Sequence, residues 1–161
     1  MRFAARPFSA ACLALTLALA GSAFAALPRT GKFEGTTSQQ AKDGSPAKLS
    51  FSIVERGEEI TKVVFPSLAK CGKGGQTLRL KTRTTEPAPL VKGGIKIGGR
   101  VRGPLERRLR FRGRFQMNGR FPTPGQAQGT WRLRAVVVER DGDVVNRCRT
   151  GTVSWRAARR P

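Results

Sequence analysis

The sequence contains no histidine and no tyrosine, and acidic residues are scarce. Without histidine, the chain lacks the side chain that most often acts as a general base near neutral pH, and it lacks imidazole ligands for a metal. It contains three cysteines, one of which, Cys12, lies in the N-terminal segment described next. These absences exclude histidine-dependent hydrolysis and histidine-ligated metal chemistry.

The long apolar run of this sequence is confined to the N-terminus, at residues 10–20. Arg2 and Arg6 precede the run, and Ala23-Phe24-Ala25 follows it. A basic start, a short apolar stretch and a small-x-small site are typical of a secretory signal peptide. The run is too short to span a bilayer, and no later segment is long enough to do so. We therefore expect residues 1–25 to be removed and the protein to work outside the cytoplasm, secreted or associated with the cell envelope.

The mature chain, residues 26–161, has the length of a single domain and contains no low-complexity linker. It keeps two cysteines, which allow one pairing in an oxidising compartment, so we predict a Cys71–Cys148 disulfide. The alternative is a pair of reduced, buried thiols. With both sulfur atoms in a disulfide, no thiolate remains to ligate zinc or to act as a nucleophile. We accordingly expect no metal site and no cofactor.

Apolar and polar residues alternate in short stretches separated by glycine and proline, a pattern that predicts strands with one buried face. The clearest stretch is 107–115, and the next is 129–138. The other predicted strands are 31–37, 49–53, 60–65, 78–81, 95–101 and 152–155. Asp141-Gly142 is the predicted tip of a hairpin. No segment after the signal peptide shows a helical stripe. The sequence thus predicts an all-β domain, an antiparallel sandwich or barrel of about seven to nine strands with one disulfide.

The charge of the chain is strongly unbalanced, with 31 lysines and arginines against 10 acidic residues. A surface of this kind attracts polyanions at low salt, and arginine forms bidentate contacts with phosphate, sulfate or carboxylate. Two alternatives remain open. High net charge also keeps a protein soluble, and arginine usage also reflects genome composition.

The basic residues concentrate between Lys92 and Arg134, where a single acidic residue, Glu106, occurs. If strands 95–101, 107–115 and 129–138 are neighbours in one sheet, their outward arginines form a continuous basic face. The candidate polyanion-binding residues are Arg100, Arg102, Arg108, Arg110, Arg112, Arg114, Arg132 and Arg134. Like charges directly opposed on adjacent strands destabilise a sheet, so a bound anion would make this face easier to tolerate. The alternative is a solvated face whose long side chains spread apart over apolar surface.

The expected partners of this face are anionic polymers, namely teichoic acid, acidic polysaccharide or extracellular nucleic acid, or else anionic lipid. A nucleic-acid surface usually adds exposed aromatic side chains on which bases stack. Phe111, Phe115 and Trp131 fall on the opposite, core-facing side of their predicted strands. This placement disfavours nucleic acid and leaves an interaction governed by charge.

One short motif suggests chemistry. Ser67-Leu68-Ala69-Lys70 matches the S-x-x-K motif of penicillin-binding enzymes, and Arg149-Thr150-Gly151 resembles their K-T-G motif. That chemistry requires the serine at the start of a buried helix, with the lysine one turn later. Pro66 before the motif and Cys71-Gly72 after it leave no room for such a helix. We therefore interpret this match as coincidental.

Three features stand out along the mature chain. Residues 31–39 are Gly-Lys-Phe-Glu-Gly-Thr-Thr-Ser-Gln, residues 148–155 are Cys-Arg-Thr-Gly-Thr-Val-Ser-Trp, and Cys71 follows a Val/Phe-rich predicted strand between them. They resemble the opening pattern GxFxGTTSQ, the closing pattern CxSGTVxW and the mid-chain cysteine of a family of small secreted bacterial domains without a characterised function, with Thr150 in place of serine. The resemblance implies an all-β secreted domain and assigns no catalytic residue. Residues 36–39 form either a polar ligand site or an ordinary strand end.

From these observations we expect a secreted, non-enzymatic, strongly basic all-β domain that associates with anionic polymers of the cell envelope or the extracellular space. One alternative is an interaction or inhibitor module that binds another protein through its loops. Another is a hydrolase that uses two carboxylates facing each other across a cleft.

Overall fold

The structure, a computed structural model, describes residues 26–72, 75–105 and 109–161, so the predicted signal peptide lies outside the described residues. The strands are β1 (Gly31–Gln40), β2 (Pro46–Val54), β3 (Glu59–Cys71), β4 (Gln76–Thr84), β5 (Ala88–Pro89), β6 (Gly94–Pro104), β7 (Arg110–Thr123), β8 (Gln126–Val138), β9 (Val144–Arg149) and β10 (Val153–Arg159). The prediction of an antiparallel all-β fold is confirmed. Ten strands are present, against the seven to nine predicted. The two that the sequence pattern did not indicate are β5, which has only two residues, and β9, which shows no clean alternation of exposed and buried residues.

Six of the strands close into an antiparallel barrel in the order β1-β2-β3-β9-β8-β10, with β10 pairing again with β1. The other four strands extend this barrel at two places. On one side β7 pairs with the second edge of β8, and β6 pairs with β7. On the other side β4 and β5 pair with β3. Of the two predicted alternatives, sandwich and barrel, the structure is a barrel, with four further strands outside the closed ring that extend the sheet from β8 and β3.

The core consists of the inward-facing residues of these strands, as the period-two pattern predicts. Phe33 of β1 stacks on Phe51 of β2 with ring centroids 5.1 Å apart. Trp131 of β8 lies between Phe65 of β3 and Phe115 of β7, with ring centroids at 4.2 and 4.9 Å. These five aromatic side chains are buried, so the barrel interior and the adjoining face of β7 share one core.

The predicted disulfide between Cys71 and Cys148 is present and joins register partners on β3 and β9. These two strands share only two register pairs, Cys71 with Cys148 and Lys70 with Arg149. The disulfide thus fastens the shortest pairing of the closed barrel. It also places the side chains of Lys70 and Arg149 next to each other on the outer face.

Gln39 completes the same edge of β3. Strand β2 pairs with β3 as far as Val64, and β9 begins to pair at Lys70. In the interval, the Gln39 side-chain amide donates to the Leu68 carbonyl oxygen at 2.8 Å, and its oxygen accepts the Leu68 N–H at 2.9 Å. A single side chain therefore reproduces the two hydrogen bonds of a strand neighbour.

Candidate polyanion-binding surface

Strands β6, β7 and β8 are neighbours, which is the condition for the predicted continuous basic face. Strands β9 and β3 continue the same sheet. Five basic residues lie directly opposite one another across these five strands. They form one line, here called the basic row, in the order Arg100, Arg114, Arg134, Arg149 and Lys70. Register partners point to the same face of a sheet, and each of the five side chains is exposed. The sheet therefore presents a row of like charges perpendicular to its strands.

The length of the basic row follows from strand spacing. Adjacent strands lie about 4.8 Å apart, so four intervals extend over about 19 Å. A shorter second row runs parallel to it, two residues or about 7 Å away along each strand. It consists of Arg102, Arg112 and Arg147, with Val136 in the β8 position.

The two rows line one concave surface of 1330 Å³, the basic groove, whose floor includes Ala135 and Cys148. Among the described residues that line it, none is acidic. The ion pairs found between described residues both involve Glu34 of β1, which binds Lys32 at 2.6 Å and also contacts Arg160. The hydrogen bond from Lys32 lowers the pKa of Glu34, and the charge of Arg160 contributes. Because β1 borders no strand of the basic row, neither of these two ion pairs neutralises a residue of the basic row.

Five of the eight predicted residues line the basic groove, namely Arg100, Arg102, Arg112, Arg114 and Arg134. Arg132 lies beside Gln116 of β7, and its Nε donates to the Thr152 hydroxyl at 2.9 Å. Arg110 lies on the other side of the two rows from Arg132. It is two residues beyond Arg112 on β7, and its register partner on β8 is Val138. Arg108 lies outside the described residues.

Three basic residues of the groove were not predicted from the sequence, namely Lys70, Arg147 and Arg149. They fall outside the stretch Lys92–Arg134 that defined the basic face. A signal for them was present, because a disulfide between two antiparallel strands brings the residues flanking its cysteines together. The predicted Cys71–Cys148 pairing therefore already brought Lys70 close to the basic residues beside Cys148.

Aromatic side chains take no part in this surface. Each of the eight that the structure describes is buried. The exposed large hydrophobic residues among those described are Leu27, Val91, Val144 and Val145. The groove thus offers charge and hydrogen-bond donors, but it has no exposed aromatic side chain on which a base stacks.

The S-x-x-K match does not form a catalytic pair. Ser67 and Lys70 lie three residues apart on β3, so their side chains point to opposite faces. Ser67 is buried, and its hydroxyl accepts the indole N–H of Trp131 at 3.1 Å, whereas Lys70 is exposed in the groove. Among the described residues, there is also no cluster of three acidic or cysteine side chains positioned to hold a metal.

The two terminal segments that carry the family resemblance meet in the barrel wall. Thr37 of β1 is the register partner of Trp155 of β10, and the Ser38 hydroxyl accepts the Ser154 N–H at 3.1 Å. Gln39 binds Leu68, as described above. Ser38 and Gln39 thus use their polar side chains to join strands of the barrel. The Thr37 hydroxyl, by contrast, accepts the Gln39 N–H within β1, and Thr36 is exposed. This arrangement favours a structural role for Ser38 and Gln39 over a ligand site.

A second concave surface of 880 Å³ lies beside the β1–β2 hairpin. Its charge is mixed, because Glu34 and Asp43 line it together with Lys48, Arg79 and Lys81. Asp43 accepts hydrogen bonds from the hydroxyl and the N–H of Ser45, which lower its pKa. This surface therefore lacks the single sign of charge that distinguishes the basic groove.

Comparison of the chain with protein-family models, with curated proteins and with solved structures finds no match. Within the described ranges, no helix is long and apolar enough to cross a membrane.

Proposed function

We propose that this protein is an exported, non-enzymatic domain that binds linear anionic polymers of the cell envelope or the extracellular space through its basic groove. The observation that carries the proposal is the basic row, in which five cationic residues are direct register partners on five strands. Like charges opposed in this way repel one another, and an anion lying on them removes the repulsion.

The rigidity of the groove supports a binding role. Its residues lie on paired strands, and Arg149 and Lys70 flank a disulfide. Residues on paired strands have a fixed backbone before binding, so no backbone conformational entropy is lost when a ligand arrives. Arginine also suits this task because its planar guanidinium group donates two parallel hydrogen bonds to phosphate or sulfate oxygens.

Salt-dependent retention of the mature protein on immobilised poly(glycerol phosphate), heparin and DNA tests the proposal. We expect retention at low salt that weakens steeply as salt rises, because a charge-driven contact releases counterions. Failure to bind any of the three at low salt would overturn it. A partner protein that remains bound at high salt, with no polymer retained, would support the interaction-module alternative instead.

A further inference from the structure

Building on this proposed function, we propose that the ligand is a polyol-phosphate chain of the teichoic-acid class, lying across the strands along the basic row with one phosphate per strand. The direction follows from the longest uninterrupted line of charge. Across the sheet five basic residues follow one another. Along β7, by contrast, Arg110, Arg112 and Arg114 are followed by Gln116 and Asn118 on the same face.

The spacing of the row favours one charge per repeat. Three backbone bonds of an extended polypeptide span at most about 3.6 Å, so the six backbone bonds of a glycerol-phosphate repeat span at most about 7 Å. A flexible chain shortens readily to the strand spacing of about 4.8 Å. Inorganic polyphosphate has two backbone bonds per charge and therefore places about two charges on each interval. A polyol phosphate thus matches the row one to one.

The absence of exposed aromatic side chains among the described residues separates this ligand from nucleic acid. A single-stranded nucleic acid also has six backbone bonds per phosphate, so its charge spacing is similar. Its bases gain much of their binding energy by stacking on aromatic side chains, and each aromatic side chain that the structure describes is buried. A phosphate chain without bases makes the same charge contacts and leaves no base without an aromatic stacking partner.

The last two members of the basic row lie next to the disulfide. Arg149 and Lys70 are opposed on the two-pair seam between β3 and β9, where few backbone hydrogen bonds offset their repulsion. A phosphate bridging these two side chains cancels that repulsion. We therefore expect the polymer to stabilise the seam as well as to occupy the groove.

The test measures the affinity of the disulfide-intact mature protein for poly(glycerol phosphate) as salt is varied. Five contacts predict a slope of log K against log salt of about −3.5, at about −0.7 per contact for a single-stranded chain. Arg134→Gln should weaken binding about three- to tenfold at low salt and make the slope less steep by about 0.7. The matched control is Arg83→Gln on β4, an exposed arginine outside the groove, which removes the same charge.

Three further ligands distinguish the sources of phosphate. An abasic phosphodiester chain with the same number of phosphates should bind as tightly as poly(glycerol phosphate). Single-stranded DNA that binds more tightly than the abasic chain would show base recognition and overturn this inference. Polyphosphate binding more tightly, at equal phosphate concentration, would also overturn it.

A charge-matched pair of double variants separates this inference from the proposed function. Arg114→Gln/Arg134→Gln removes two members of the basic row, and Arg83→Gln/Arg156→Gln removes two exposed arginines on β4 and β10. Equal weakening by both variants would show delocalised attraction, which overturns the row while polyanion binding stands. Absence of any binding by the unaltered protein would overturn the proposed function itself.

Discussion

At the residue scale, two buried hydroxyl groups differ in whether they have a hydrogen-bond partner, which decides their effect on stability. Ser67 and Thr82 are both buried on strands of the same sheet. Ser67 accepts the Trp131 indole N–H, whereas the Thr82 hydroxyl oxygen has no hydrogen-bond partner among the described residues. A buried polar group is costly without a partner and modestly stabilising with one.

We predict opposite responses to removal of these hydroxyls. Ser67→Ala should lower the free energy of unfolding by about 1–3 kcal/mol, because it leaves the buried indole N–H of Trp131 unpaired. Thr82→Val keeps the side-chain volume and should be neutral or stabilising, because no hydrogen bond is lost. Urea unfolding of both variants measures the difference, and equal destabilisation would contradict the assigned hydrogen bonds.

At the element scale, the edge of β3 depends on one side chain. Gln39→Ala should lower the free energy of unfolding by about 1–3 kcal/mol, because both hydrogen bonds to the Leu68 backbone are lost together. Gln40→Ala is the control, since Gln40 is exposed and its side chain has no hydrogen bond among the described residues. Unfolding curves that place both variants at the same midpoint would contradict this account of the edge.

The seam between β3 and β9 is the second feature at this scale. Replacing both cysteines by serine should lower the free energy of unfolding by about 4.5 kcal/mol, the chain-entropy value for a cross-link that spans 77 residues. The loss should be greater at low salt, because Lys70 and Arg149 then repel across two register pairs.

Denaturant unfolding of the serine variant at low and high salt tests this coupling. Adding Lys70→Gln to that variant removes one of the opposed charges, and we expect it to recover part of the stability lost at low salt. A salt dependence that is unchanged by Lys70→Gln would show that the opposed pair does not strain the seam.

At the scale of the whole molecule, the net charge bears on stability as well as on the proposed polymer binding. The chain carries 31 basic and 10 acidic residues, and self-repulsion of this kind destabilises a compact state. We therefore predict that the Tm of a chain comprising residues 26–161 rises with salt, and that a bound phosphate polymer raises it further by mass action. Arg114→Gln/Arg134→Gln should reduce the increment from the polymer, whereas Arg83→Gln/Arg156→Gln should leave it in place.

Polymer binding should also be insensitive to pH between about 5 and 9. The chain has no histidine, and arginine and phosphodiester groups keep their charge throughout this range. Affinity for poly(glycerol phosphate) measured at several pH values and constant salt checks this expectation. A transition near pH 6.5, the ordinary titration range of histidine, has no group in this chain to cause it.

Local patterning predicted the strands well where one face is buried. Along β7 and β8, apolar residues alternate with arginine, and the structure buries Phe111, Phe115, Trp131 and Leu133 as the pattern requires. Strand β9 was missed because Val144 and Val145, next to the turn that joins β8 to β9, are both exposed, so burial imposes no alternation there. The turn at Asp141-Gly142 was found, since its conformation depends on local residues, and Gly142 adopts a φ of 101°.

The amino-acid sequence by itself determined the strand pattern, the excess of arginine and the pairing of Cys71 with Cys148, because each depends on neighbouring residues or on having one possible partner. Only the tertiary structure decided that Lys70 and Arg149 join Arg100, Arg114 and Arg134 in one row. Residues so far apart in the chain become neighbours through strand order and register. Strand order and register depend on how the barrel closes. Barrel closure is a property of the whole core and is not determined by any single segment.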